Sequence, residues 1–112
     1  MKRIEAIIPQ SKMTEAFAAL KELSLGGYTY FDSKGRGQNP PTPVHAGRGT
    51  SLYTPEFNAN LTIYTVVDDS IVEEVVKKIL ASTSTGLAGE GKIFISDVDE
   101  IIDIGTKSKE NA

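Results

Sequence analysis

The order of strand and helix patterns along the chain most constrains its fold. Segments with alternating or β-branched side chains predict strands at about 3–9, 28–32, 60–67 and 92–98. Segments with apolar residues three and four apart predict helices at about 11–23 and 68–80. The order β-α-β-β-α-β predicts the ferredoxin-like α+β fold, with an antiparallel sheet and both helices on one face. We expect self-association to cover the other face, along Thr62, Tyr64 and Val66 or the residues that alternate with them.

Local signals predict where the two helices begin and end. Ser11 is a candidate N-cap of the first helix, and Gly26 and Gly27 form a stop signal after it. Ser70 and Glu73 form a capping box at the start of the second helix. Two ion pairs are expected on its exposed face, Glu73–Lys77 and Glu74–Lys78, because the two residues of each pair are one helical turn apart.

A long loop rich in proline and glycine separates the two middle strands. Residues at about 35–57 show neither the helical nor the strand period. A loop this long inside a compact domain is typical of a functional or disordered segment. From Lys34 to Glu56, the cations Lys34, Arg36 and Arg48 oppose one carboxylate. We therefore expect a mobile, basic loop that attracts an anion or an acidic partner.

The stretch TGLAGEGK at 85–92, here called the glycine loop, lies between the second helix and the last strand. Successive glycine N–H groups can point at a phosphate, and Lys92 adds a full positive charge. It is not a Walker motif, because Ile93 follows Lys92. The alternative interpretation is a helix C-cap followed by a turn.

A second cluster of glycine and basic residues, KGRGQN at 34–39, follows another strand. By itself it is typical of a hairpin exit. The topology suggests that it converges with the glycine loop on one polyphosphate, and we state this convergence as a hypothesis.

Composition excludes several other classes of protein. The 112 residues fit one domain, and the absence of cysteine excludes disulfides and thiol chemistry and fits a cytoplasmic protein. A net charge of −3 argues against nucleic-acid binding, and no apolar stretch is long enough for membrane insertion. His45 and the acidic residues of the C-terminal part are interpreted as solvated side chains rather than as catalytic groups or metal ligands: Asp97, Asp99, Glu100 and Asp103.

Four stretches resemble the PII nitrogen-regulatory signalling proteins. They are KRIEAIIP, GGYTYFDSKGRG, RGTSLY and TGLAGEGKIFISDV, and the last is similar to the family signature TGxxGxGKIFVxxV. The likeness runs nearly end to end. It implies a single domain over 1–112, a family T-loop at about 35–57 and a polar tail, expected to fray, at about 106–112.

The resemblance also implies function. PII proteins are homotrimers that bind ATP or ADP, as competing allosteric ligands, in clefts between subunits. 2-Oxoglutarate often binds beside ATP through Mg²⁺, and the T-loop then engages a target such as an ammonium transporter or a nitrogen-assimilation enzyme. The resemblance therefore implies a signalling regulator and not an enzyme.

Residues of this chain that match the family's sites can be named. Those matching nucleotide-binding positions are Thr29, Gly35, Arg36, Gly37, Val66, Gly86, Leu87, Ala88, Gly89, Glu90, Gly91 and Lys92. Gln38 and Asn39 match the 2-oxoglutarate and Mg²⁺ region. Tyr53, one residue from the family's modified tyrosine, is a candidate modification site.

Three departures from the family pattern suggest a change of ligand. Asp103 and Gly105 stand where the family carries the two arginines of R-x-R, and Asn60 stands where it carries a lysine. Fewer cations favour ADP or AMP over ATP and disfavour 2-oxoglutarate. The alternative function is a divergent PII-like regulator that senses ADP, AMP or cyclic AMP and controls carbon metabolism or another transporter.

Overall fold

One antiparallel sheet and two helices form the body of the protein. The computed structural model describes residues 1–38, 41, 43–45, 47, 51–87 and 90–112. In chain order the elements are β1 (Lys2–Pro9), α1 (Met13–Lys21), β2 (Thr29–Gly35), β3 (Val44–His45), β4 (Leu52–Tyr53), β5 (Asn58–Val67), α2 (Val72–Thr83), β6 (Lys92–Asp97), β7 (Ile101–Ile102) and β8 (Lys109–Glu110). The main sheet has the order β2-β5-β1-β6. The predicted ferredoxin-like arrangement is therefore confirmed.

The core lies between the helices and one face of the sheet. Side chains alternate between faces along a strand, and the register of β1 against β5 places Ala6 opposite Ile63 and Ile8 opposite Leu61. The helices close over this face with buried side chains from α1 and α2: Ala16, Leu20, Val75 and Ile79. The predicted alternation in β5 is confirmed, because Leu61, Ile63, Thr65 and Val67 are all buried.

The other face of the sheet, here called the open face, points away from both helices. Phe31 on β2 and Phe94 on β6 lie on this face and are about half exposed. Tyr64 lies between them on β5, and the guanidinium carbon of Arg3 is 4.3 Å from the centroid of its ring. Thr62 on the same face is already buried within one chain, beside the hydroxyl of Ser33 at 2.8 Å. Exposed aromatic rings on a regular sheet are typical of a contact surface.

The predicted helix ends are wrong in detail, because a 3-10 turn precedes each helix. The first turn spans Gln10–Lys12, so α1 begins at Met13 without a side-chain cap, and Ser11 lies inside the turn. This helix ends at Lys21, before the predicted Gly26–Gly27 stop. At the second helix, the Asp68 carboxylate accepts from the N–H of Ser70 at 2.9 Å, in place of the predicted capping box.

The ion pairing of the second helix also differs from the prediction. Among the described residues, neither Glu73–Lys77 nor Glu74–Lys78 is within ion-pair distance. Lys78 instead binds Glu22, just past the end of α1. This contact between helices lowers the pKa of the Glu22 carboxyl, chiefly through the hydrogen bond to Lys78.

Two segments predicted to lack regular structure contain short ladders. Within the long loop, Val44–His45 pairs with Leu52–Tyr53 in an antiparallel ladder of two residue pairs, here called the loop hairpin. In the polar tail, Lys109–Glu110 pairs with Ile101–Ile102, so the tail is not frayed throughout. Such brief ladders leave almost no periodic signal, because strand assignment from sequence needs a run of four or more residues.

Candidate functional site

A cleft of about 570 Å³, here called the main cleft, opens where the end of β2, the start of β5 and the start of β6 meet. It is lined by apolar side chains, glycine backbone, neutral polar groups and a few charged groups. The lining residues are Ile7, Pro9, Gln10, Ser11, Gly35, Arg36, Gly37, Gln38, Asn58, Ala59, Asn60, Glu90, Gly91, Lys92 and Phe94. Its volume lies within the usual range of small-molecule sites.

The main cleft brings together the two clusters of glycine and basic residues. Gly35, Arg36 and Gly37 follow β2, and Gly91 and Lys92 lead into β6. The two segments are 55 residues apart from Gly37 to Lys92 in sequence. They meet because each strand of the sheet is antiparallel to its neighbours, so β2 and β6 run in opposite directions and the end of β2 lies at the same edge as the start of β6. The convergence that the topology suggested is thus present in one chain.

Two cations and one carboxylate lie among the lining residues, Arg36, Lys92 and Glu90. Arg36 donates from Nη1 to the carbonyl oxygen of Glu56 at 3.2 Å and so joins the two stems of the long loop. Lys92 is exposed, and among the described residues no carboxylate oxygen lies within 4 Å of its ammonium. No ion pair within this part of the chain therefore neutralises the charge of Lys92, a residue that lines the cleft.

The Glu90 carboxylate binds the far end of its own loop. Its oxygens accept from the backbone N–H of Thr85 at 2.9 and 3.0 Å, from the Ser84 hydroxyl at 3.1 Å and from the Thr85 hydroxyl. These hydrogen bonds, led by the one from the Thr85 hydroxyl, lower the pKa of the Glu90 carboxyl. A carboxylate of the protein is therefore held by a backbone amide and two hydroxyl groups.

Position 91 requires glycine because the backbone of the loop approaches the backbone of β1 closely there. A Cβ atom at this position would lie 2.5 Å from the carbonyl oxygen of Ile7 on β1. At Gly86 the requirement is conformational instead, because its φ of +87° lies in the left-handed region. Of the glycines that the structure describes in this loop, Gly86 is required by a turn and Gly91 by contact with the sheet.

Other residues of the predicted site lie outside the main cleft. Thr29 pairs with Tyr64 and Val66 with Arg3, at the opposite end of the open face. Gly35 lies six residues further along β2 than Thr29, or roughly 20 Å. Gly86 and the exposed Leu87 precede the lining part of the loop.

Three of the predicted site residues, Asn39, Ala88 and Gly89, lie outside the described residues. Of the predicted 2-oxoglutarate positions, Gln38 lines the main cleft. Asn60, which stands where the family carries a lysine, lines the cleft as well, with a neutral amide.

The candidate modification site and the departures at the C-terminus lie elsewhere. Tyr53 is about half exposed and faces Val44 in the loop hairpin. Asp103 belongs to the turn between β7 and β8, where its carboxylate accepts from the N–H of Thr106 at 2.7 Å. This bond is the main cause that lowers the pKa of the Asp103 carboxyl. Within one chain neither residue reaches the main cleft.

Sequence reasoning did not identify two amides that shape the cleft. Gln10 donates from Nε2 to Asp32 at 3.3 Å and to the carbonyl of Asn60 at 3.5 Å. Asn58 lies opposite Gly35 in the ladder. Their positions could have indicated this role, because Gln10 follows the end of β1 and Asn58 begins β5, and the fold brings these two strand ends to the same edge of the sheet.

The fold and the cleft together define a class: a ferredoxin-like α+β protein whose long hairpin loop starts at the rim of a glycine-lined cleft. The family model described as Nitrogen regulatory protein P-II matches residues 1–108. The chain belongs to the P-II family of nitrogen-regulatory signalling proteins.

Curated relatives named Nitrogen regulatory protein P-II agree with this assignment. The chain is 43% identical to the protein of Nostoc punctiforme over 97% of this chain and 96% of the relative. It is 40% identical to that of Synechocystis sp. over 98% and 96%. It is 37% identical to that of Azospirillum brasilense over 97% and 96%. Within the described part of the chain, no helix has the length and apolar character needed to cross a membrane.

Proposed function

We propose that this chain is an adenine-nucleotide-sensing regulator of nitrogen metabolism. The observation that carries the proposal is the meeting of Gly35–Gly37 with Gly91 and Lys92 on one cleft. Glycine backbone can approach a phosphate closely, and the charges of Lys92 and Arg36 favour an anion. The nucleotide acts as a signal and is not turned over.

The complete site requires two protomers. Thr29 lies on the opposite edge strand from Lys92, and Val66 lies four residues along β5 from Thr62, which is level with Lys92. Each is therefore roughly 16 Å from Lys92 within one chain, and we assign them to the nucleotide bound by the next chain's Lys92. A homotrimer packed through its open faces would bring one chain's Thr29 end beside the next chain's main cleft. The half-exposed rings of Phe31 and Phe94 support such packing. Sedimentation equilibrium of the full chain tests for the trimer.

The long loop is the part of the chain that transmits the binding of a nucleotide to a target protein. Arg36 lines the main cleft and also binds the carbonyl of Glu56, at the other stem of the loop. A phosphate that recruits the Arg36 guanidinium would compete with this bond and so alter how residues 36–57 are held. The loop then offers or withdraws a contact surface for a target, such as an ammonium transporter or a nitrogen-assimilation enzyme.

A second candidate function is a divergent regulator that senses ADP, AMP or cyclic AMP without 2-oxoglutarate and controls carbon metabolism or another transporter. It is favoured by the neutral side chain of Asn60 in the cleft and by the binding of the Asp103 carboxylate to its own turn. A dicarboxylate bridged by Mg²⁺ would find only amides at Gln38 and Asn60. The lining residues therefore do not favour 2-oxoglutarate.

Calorimetric titration of the full chain with ATP, ADP, AMP and cyclic AMP, each with and without Mg²⁺ and 2-oxoglutarate, tests both candidates. Tighter ATP binding in the presence of 2-oxoglutarate would support the first and exclude the second. A preference for a less charged nucleotide, unaffected by 2-oxoglutarate, would support the second. No heat with any adenine nucleotide would refute both.

Lys92→Ala is expected to weaken binding of the preferred nucleotide roughly 10- to 100-fold, the usual value of a hydrogen bond to a charged group. Calorimetry measures the change. Lys21→Ala is the matched control, because this exposed lysine lies at the end of α1, away from the main cleft. An equal loss in both variants would point to a general effect of charge and contradict a specific role of Lys92.

A further inference from the structure

The Glu90 carboxylate joins the two ends of the glycine loop. Thr85 follows α2 by two residues, and Glu90 lies two residues before β6. The carboxylate binds the Thr85 N–H with both oxygens and also accepts from the hydroxyls of Ser84 and Thr85. The loop between these residues is thereby closed by a side-chain contact across its base.

Both sides of this closure are anchored to the body of the protein. On the helix side, the N–H of Ser84 donates to the carbonyl of Leu80 at 2.9 Å in the last turn of α2. On the strand side, Gly91 lies directly against the carbonyl of Ile7 on β1. The Glu90 carboxylate therefore ties the end of α2 to the edge of the sheet.

The closure lies behind the proposed ligand site. Glu90, Gly91 and Lys92 line the main cleft, whereas Ser84 and Thr85 do not. Ser84 instead lines a second groove, of about 280 Å³, on the helix side of β6, and Glu90, Gly91 and Lys92 line this groove as well as the main cleft. The groups that hold the carboxylate therefore lie outside the lining of the main cleft.

We propose that Glu90 is a positioning residue of the nucleotide site, which closes the glycine loop onto the end of α2 and so holds the Gly91 backbone and Lys92 in place for the phosphates. This inference rests on the proposed function. Without the closure, a loop with three glycines would have to be ordered when the nucleotide binds, and the cost of that ordering would lower affinity. The positioning must outweigh the repulsion between a carboxylate and an anionic ligand.

The opposite role would be competition. If the Glu90 carboxylate occupied amides that the phosphate itself requires, its removal would strengthen nucleotide binding. The two roles predict opposite signs for the same substitution, which makes them separable by one titration.

The test compares Glu90→Ala, Glu90→Gln and the control Glu15→Ala, an exposed glutamate in the first turn of α1. Hydrogen exchange without nucleotide reports loop closure, and calorimetry with ADP reports affinity. In Glu90→Ala we expect exchange at Thr85 to rise, and ADP affinity to fall, each by about tenfold or more. Glu90→Gln should restore most of both, because its amide oxygen can accept from the Thr85 N–H and its NH₂ group can donate to the hydroxyls.

The possible results separate this inference from the proposed function. Unchanged exchange at Thr85 in Glu90→Ala would overturn the closure whether or not nucleotide binds. Equal or tighter ADP binding in Glu90→Ala would overturn the positioning role. If the unmodified protein ignored every adenine nucleotide while Glu90→Ala still raised exchange at Thr85, the proposed function would fail and the closure of the loop would stand.

Discussion

Gly91→Ala is expected to lower the free energy of unfolding by about 3 kcal/mol, the upper part of the usual range for overpacking. The added methyl group would lie 2.5 Å from the carbonyl oxygen of Ile7, a distance that forces backbone to move. Ile7 pairs with Lys92 at the start of the ladder between β1 and β6, so the shift would disturb that ladder. Urea denaturation at one fixed protein concentration measures the loss.

The same substitution should also weaken nucleotide binding by roughly tenfold or more, because Glu90 and Lys92 are the immediate neighbours of Gly91 and would be displaced with it. Gly26→Ala is the control, since a Cβ atom there would meet no other heavy atom within 4 Å. A Gly91→Ala protein as stable as the Gly26→Ala protein would show that β1 does not approach the loop as closely as described.

Leu61→Ala is expected to cost about 3 kcal/mol of unfolding free energy, within the usual range for a buried leucine. Leu61 is 0% exposed and lies on β5 between its neighbours Ile8 and Asp32. Strands on both sides limit how far the surroundings can relax into the cavity, and the size of the residual cavity sets the cost. Because assembly of the chain would add to apparent stability, the variants are compared at equal concentration.

Leu52→Ala provides the matched control for this deletion. It removes the same atoms from a side chain that is 61% exposed in the loop hairpin, so the free energy of unfolding should change by less than about 0.5 kcal/mol. Similar losses in the two variants would contradict the placement of Leu61 at the centre of the core.

The order of elements could be predicted because the periods that define it are local. Ile4, Ala6 and Ile8 alternate within eight residues of strand, and Val75 and Ile79 are one helical turn apart. The meeting of the two glycine clusters followed from topology alone, since an antiparallel sheet places particular strand ends at one edge. Local pattern and the connectivity of the strands were thus enough to predict the fold and the meeting of the two glycine clusters in the candidate site.

The side-chain contacts could not be predicted in the same way. Several partners compete for each of these groups, and the sequence pattern does not show which of them binds. Ser70 and Asp68 both stand before the second helix, and the 3-10 turn makes the carboxylate of Asp68 the capping group. Glu90 was assigned to the nucleotide-binding loop, but its bond to Thr85 joins two residues five apart that no periodic pattern pairs. Lys78 binds Glu22, 56 residues away, in preference to a neighbour on its own helix.

The way the long loop leaves the sheet bears on how such proteins diverge. The ladder between β2 and β5 continues to Gly35 and Asn58, so residues 36–57 depart and return at adjacent points. Doubling the length of a flexible loop raises its closure cost by only about 0.6 kcal/mol. Insertions or exchanged segments there can therefore be accommodated with little loss of stability. This one segment can thus change in sequence and length while the rest of the domain keeps its fold.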